Sequence, residues 1–192
     1  MKIGLFGGSF DPVHSGHLIA AEKVLEKGLC DKIWFMPCYQ NPLKKKLSDA
    51  IHRKKMIELA IKGKKGFELN ELELNKKKIT YSIDSVKELK KMFPEDTFYF
   101  IIAEKGLNEF HKWKNHVELL KEVKFIIVSV FDSAKIPDVV KKHHPILVQP
   151  SLSSNLSSTM IRKGLKEQKD VSVFLPEKVF EYIKENKLYG FE

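Results

Sequence analysis

Lys2-Ile3-Gly4-Leu5-Phe6-Gly7-Gly8-Ser9-Phe10-Asp11-Pro12-Val13-His14-Ser15-Gly16-His17 is an apolar run that breaks into a glycine turn and then opens a helix. Lys2 to Phe6 has the length and composition of a buried strand, and Gly7 to Ser15 reads as a turn-rich loop. From about Gly16 to Lys27 the apolar residues Leu18, Ala21, Val24 and Leu25 recur on one side of a helix that stops at Gly28. A strand that feeds a helix through glycines is the opening of a βαβ unit.

The same alternation continues outward. Lys32 to Met36 is a second strand stopped by Pro37, and Ser48 or Asp49 caps a helix carrying Met56, Leu59 and Ala60 up to Gly63. Phe67 to Leu74 alternates apolar and polar residues as a strand does. Ser82 to Phe93 sets Val86, Leu89 and Phe93 at helical spacing before Pro94. Thr97 to Ile102 and Lys124 to Val130, β-branched or aromatic through most of their length, are central strands with a short helical piece around Trp113 to Lys121 between them. A weak helix interrupted by Pro137 (Ser133 to Lys142), a short strand (Ile146 to Val148) and two helices (Ser157 to about Glu167, Pro176 to about Asn186) complete the pattern. The expectation is an α/β fold, a Rossmann-like three-layer sandwich with a mainly parallel sheet. Loops at the carboxyl ends of its strands, including Cys38 to Leu47, are then where ligands bind.

Composition narrows the classes. With 192 residues, 43% of them hydrophobic, the chain can bury one core, and it shows neither repeat nor linker, so residues 1–192 are expected to form a single domain. It has no apolar run of about 18 residues and no signal-peptide pattern, which points to a cytoplasmic protein without a membrane partner. Cys30 and Cys38 do not have redox or zinc spacing and read as reduced thiols. The net charge of +9 attracts anions. Arg53 and Arg162 are the two arginines, leaving 32 of the 34 basic residues as lysine. A chain so poor in the residue that reads guanine edges is no sequence-specific nucleic-acid binder; solvated lysine faces and a small acidic substrate fit better.

Two segments carry chemistry. In the loop, Gly7 and Gly8 remove Cβ atoms where a phosphate can approach, and the next helix offers free N–H groups and its positive dipole end. His14 and His17 flank that anion site and can donate to phosphate oxygens. Zinc is a rival reading of this spacing, although no third ligand lies nearby to complete a site, and purely structural histidines are another. The second segment, Ser157-Ser158-Thr159-Met160-Ile161-Arg162, opens a helix with hydroxyls at its cap and an arginine just over one turn later, on a face that can reach the same anion. Alone it could be an ordinary cap with a surface arginine; two phosphate-suited helix starts in one α/β chain point further. Trp113, set between polar residues, is either a core anchor or a stacking platform.

Together, His14-Ser15-Gly16-His17 and Ser157 to Arg162 resemble the H-x-G-H and S-S-T-x-I-R signatures of the nucleotidyltransferase α/β superfamily. The resemblance is closest to the bacterial nicotinate-nucleotide adenylyltransferases and runs over nearly the whole chain. It implies transfer of the adenylyl group of ATP to nicotinate mononucleotide, with nicotinate adenine dinucleotide and pyrophosphate as products. Sister activities on nicotinamide mononucleotide or phosphopantetheine, or nucleotide binding without turnover, are the alternatives. By the same resemblance Gly7, Gly8, Ser9 and Phe10 receive the nucleotide, and His14, His17, Ser157, Ser158, Thr159 and Arg162 hold its phosphates, with His14, His17 and Arg162 catalytic. The C-terminal helices from about residue 157 complete the ATP site. Trp113 stacks on the pyridine of the mononucleotide, with Lys44 and Ser82 beside it. Mg²⁺ is expected on the ATP phosphates, without a dedicated protein site, and the oligomeric state is left open. Ala103-Glu104-Lys105 departs from the family's Gly-x-Asp after the strand Thr97 to Ile102, which reverses a charge near the nucleotide. Leu43 stands where a histidine is common.

Overall fold

Strand β1 (Lys2–Gly8) sends Ile3 and Leu5 into one apolar layer and Phe6 into another, all three buried. In the computed structural model, residues 1–43, 46–129, 136–149 and 156–191 are described. After β1 come α1 (Ser15–Glu26), β2 (Lys32–Pro37), α2 (Ala50–Ile61), β3 (Phe67–Leu69), α3 (Leu72–Asn75), α4 (Ser82–Met92), β4 (Thr97–Ala103) and α5 (Glu104–Leu107). Next are α6 (His116–Glu122), β5 (Lys124–Val128), α7 (Asp138–Lys141), β6 (Ile146–Val148), α8 (Ser158–Lys166) and α9 (Glu177–Glu185).

The strands form one parallel sheet in the order β3-β2-β1-β4-β5-β6. Period-two alternation sends Phe6, Ile33, Phe35, Ile101 and Ile126 to the layer covered by α1, α2, α8 and α9. Leu5, Trp34, Met36, Phe100 and Phe125 go to the layer covered by α4 and α6. This is the expected three-layer α/β sandwich. Phe35, Phe100 and Phe110 are fully buried, and at roughly 1.5–3 kcal/mol per buried large apolar side chain these layers decide the fold. Exposed ion pairs such as Lys112–Glu109 contribute about 0–1 kcal/mol each. Gly4 marks a tight spot in this sheet: a Cβ there would stand 2.7 Å from Ile101 Cδ1 and 2.8 Å from Ile33 Cδ1. No helix among the described residues is long and apolar enough to cross a membrane.

Two expectations need correction. The strand from Phe67 ends at Leu69, because β3 is an edge strand with only Ile33 to Phe35 to pair with. Asn70 Oδ1 then accepts the Leu72 N–H at 3.0 Å and starts α3. The helix expected from Trp113 begins only at His116: Trp113 is extended (φ −74°, ψ 136°) and Asn115 is left-handed (φ 50°). The strand expected from Thr97 runs one residue further, to Ala103, and is followed at once by α5. In the weak-helix region, Asp138–Lys141 is helical just past Pro137; Ser133 to Lys135 and Val130 lie outside the described residues.

The strand order reverses between β1 and β4, so the crevice beyond their carboxyl ends is the place for a ligand. Gly7 and Gly8 end one of these strands, and Ala103 ends the other.

Candidate active site

The loop between β1 and α1 is held in an uncommon shape from several sides. Phe10 has φ 47°, a left-handed value rare for a non-glycine residue. Its 2%-exposed ring packs on Phe6, Phe35 and His17 at centroid distances of 5.7, 5.7 and 5.0 Å. His14 is the N-cap of α1, and its backbone N–H donates to His17 Nδ1 at 3.2 Å. The two imidazoles stack, centroids 3.7 Å apart. Gly16 keeps the turn thin: a Cβ there would lie 3.1 Å from His14 Nδ1. Because His17 Nδ1 already has a donor, the neutral ring carries its proton on Nε2.

The second motif comes from the far end of the chain to the same loop. Ser157 caps α8, accepting the Met160 N–H at 3.3 Å. Ser158 Oγ donates to Pro12 O at 2.9 Å, and Arg162 Nη1 donates to Asp11 O at 2.7 Å while Nη2 donates to Thr159 Oγ1 at 3.3 Å. Two helix N-termini, those of α1 and α8, therefore converge on residues 9–17, and both dipoles favour an anion there. Among the described residues no group of three or more His, Cys, Asp or Glu is placed to hold a metal ion. Both cysteines are free and buried, and burial pushes the Cys30 thiol up to about 12.

A cavity of about 270 Å³ opens beside this loop. Its lining includes Gly7, Gly8 and Ser9, Ser82, the first residue of α4, and Trp113. Trp113 is partly buried, its ring meeting Phe100 and Phe110 at 5.9 and 5.5 Å, and it also lines the cavity. Leu43, where a histidine is common in the resembling family, is also in the lining. Lys44 lies outside the described residues. At the end of β4, Glu104 accepts from Ser129 Oγ, which ties the start of α5 to the end of β5.

Several residues of this region have no conspicuous motif. Arg53 is completely buried on α2 and holds four carbonyls: Ser9 O (2.9 Å), Cys38 O (2.7 Å), Tyr39 O (2.7 Å) and Ser48 O (3.0 Å). One guanidinium thus fixes the glycine loop against the segment after β2. The scarcity of arginine in a lysine-rich chain was the signal for it. Asp11, 3% exposed, accepts from Tyr189 Oη at 2.8 Å and from Ser48 N at 3.3 Å. Glu73, 5% exposed and lining the cavity, accepts from Ser85 Oγ at 2.7 Å, and burial pushes its carboxyl above the ordinary range.

Comparison with known proteins agrees with this geometry. Residues 5–164 match the cytidylyltransferase-like family. The probable nicotinate-nucleotide adenylyltransferase of Methylacidiphilum infernorum is 38% identical over 190 residues, covering 98% of this chain and 92% of the relative. The nicotinate-nucleotide adenylyltransferase of Bacillus subtilis is 38% identical over 191 residues, 98% of each chain. Among solved structures, the Plasmodium falciparum nicotinic acid mononucleotide adenylyltransferase complexed with NaAD superposes with a TM-score of 0.87 at 26% identity, covering 100% of this chain and 98% of that one.

Proposed function

The chain belongs to the cytidylyltransferase-like family, and from that premise we propose that it is a nicotinate-nucleotide adenylyltransferase, moving AMP from MgATP to nicotinate mononucleotide in NAD biosynthesis. The observation that carries this reading is the convergence of the two helix starts on residues 9–17 beside a cavity lined by Gly7 to Ser9 and by Trp113. ATP phosphates lie along Gly7 to Phe10 and the N-termini of α1 and α8, near His14, His17, Ser157, Ser158, Thr159 and Arg162. The pyridine mononucleotide occupies the cavity against Trp113 and Ser82. Residues 1–192 act as one unit whose C-terminal helices complete the ATP site, and the enzyme works in the cytoplasm.

The chemistry needs no protein nucleophile. An oxygen of the acceptor phosphate, already anionic at neutral pH, attacks the α-phosphorus in line; the bond from that phosphorus to the bridging oxygen breaks, and pyrophosphate leaves with the electron pair. His17 Nε2–H donates to the α-phosphate as charge builds, and Arg162 with the Ser157 hydroxyl and the first N–H groups of α8 takes the charge of the leaving group, while Ser158 holds α8 to the loop. Both carboxylate oxygens of Asp11 accept donors of the chain itself, so Mg²⁺ fits this donor-rich site as part of the substrate, held by phosphate oxygens and water, where it neutralises their charge.

Pyrophosphate release with ATP and a panel of acceptors tests the assignment. Nicotinate mononucleotide should be used with the highest kcat/KM; a preference for nicotinamide mononucleotide or phosphopantetheine moves the chain to a sister activity, and no release with any of them removes it from catalysis.

A further inference from the structure

The last turn of the chain reaches back to its first loop. Residues Leu188–Gly190 form a 3-10 turn in which Tyr189 takes φ 63°, ψ 21°, and Lys187 before it also has a positive φ of 47°. Left-handed backbone at a tyrosine persists only where the surroundings hold it. Here the ring packs on the apolar layer under α8 and α9, Gln168 Nε2 donates to Gly190 O at 3.1 Å, and Tyr189 Oη donates to Asp11 Oδ1 at 2.8 Å. Burial, followed by the negative charge of Asp11, pushes the Tyr189 phenol well above its ordinary value, so it keeps the proton it donates.

Asp11 is the residue on which the two phosphate motifs meet. Its carbonyl accepts Arg162 Nη1, the next carbonyl, of Pro12, accepts Ser158 Oγ, and its side chain accepts Tyr189 Oη. Removing the phenol oxygen frees one carboxylate oxygen of the residue whose carbonyl aims Arg162. We infer that Tyr189 is a positioning residue for ATP: the C-terminal turn clamps Asp11 so that Arg162 and Ser158 keep their places on the phosphate loop. Tyr189 touches no reacting atom in this account; it acts through Asp11. The inference rests on residues 9–17 being the ATP site, and its test reads ATP binding alone, so the identity of the acceptor does not enter.

Tyr182 supplies the control, since its hydroxyl makes a similar bond, 2.9 Å to His52 Nδ1, from the same C-terminal region but to α2. Calorimetry with MgATP and no acceptor should show Tyr189→Phe binding about tenfold more weakly than the wild type, the scale of one hydrogen bond to a charged partner. Tyr182→Phe should bind within twofold of the wild type. In an Arg162→Lys background the further loss from Tyr189→Phe should shrink below threefold, because the two act on one residue, Asp11. Thermal denaturation of each variant confirms that the titrated protein is folded. Unchanged ATP affinity in Tyr189→Phe, an equal loss in Tyr182→Phe, or a full tenfold loss in both backgrounds overturns the inference. A wild type that binds no MgATP overturns instead the reading of the loop as an ATP site.

Discussion

His17 Nδ1 accepts the backbone N–H of His14 at 3.2 Å, and this one contact gives the second histidine of the loop its chemical direction. A neutral imidazole whose Nδ1 is an acceptor presents Nε2–H as a donor, and the stacked His14 ring and the Phe10 edge hold it in place. Donors fixed before charge develops are the ones that lower a barrier most.

His17→Ala should therefore lower turnover by about 10²-fold or more while the protein still unfolds cooperatively near the wild-type temperature. Steady-state kinetics beside thermal denaturation checks it; near-normal turnover would remove His17 from the mechanism.

Arg162 bridges Asp11 O and Thr159 Oγ1 through separate nitrogens of one planar group, a geometry a lysine cannot reproduce. Arg162→Lys should reduce kcat/KM for ATP by at least about tenfold, the result of losing one well-placed charged hydrogen bond, and leave the KM for the acceptor within about twofold. Unaltered ATP constants would make the arginine only a link between α8 and the loop.

For Trp113 the expected change falls on the other substrate. Stacking of a base on an aromatic side chain contributes about 1–3 kcal/mol, so Trp113→Ala should raise the acceptor KM between about five- and 150-fold with little effect on ATP. Since the ring also packs on Phe100 and Phe110, Trp113→Phe separates the roles: it should recover most of the stability and part of the acceptor affinity.

Glu73 predicts a pH dependence of stability. Burial raises its carboxyl above the ordinary 4.5, with the Ser85 hydrogen bond opposing. The folded protein thus holds this proton more tightly than the unfolded chain does, so the contribution is full below about pH 4.5 and is lost as pH rises through the raised value. Glu73→Gln stays neutral throughout and can still accept from Ser85. Urea denaturation from pH 4.5 upward should show the variant gaining on the wild type as pH rises. A constant difference across that range would mean that the acid is not titrating in the fold.

Much of this site is legible in sequence because the chemistry is local. Each phosphate motif straddles a helix start, and cap residues, glycines and apolar spacing act within one or two turns. The strands of the sheet centre are equally plain, since residues such as Phe98 to Ile102 serve both faces. What sequence leaves unread depends on distant partners. Phe67 to Leu74 alternates as a strand does, yet only three residues find a neighbour in β2. Trp113 sits outside its helix because Asn115 turns left-handed. Arg53, Asp11 and Tyr189 act largely through distant contacts, up to 178 positions away, which no periodicity encodes.

The account turns on a cavity and a phosphate loop serving one transfer, and product formation tests it most directly. The purified protein should convert MgATP and nicotinate mononucleotide into nicotinate adenine dinucleotide, identified by chromatography and mass, with one pyrophosphate released per dinucleotide formed. Pyrophosphate without dinucleotide, or no consumption of ATP when the acceptor is present, would contradict it.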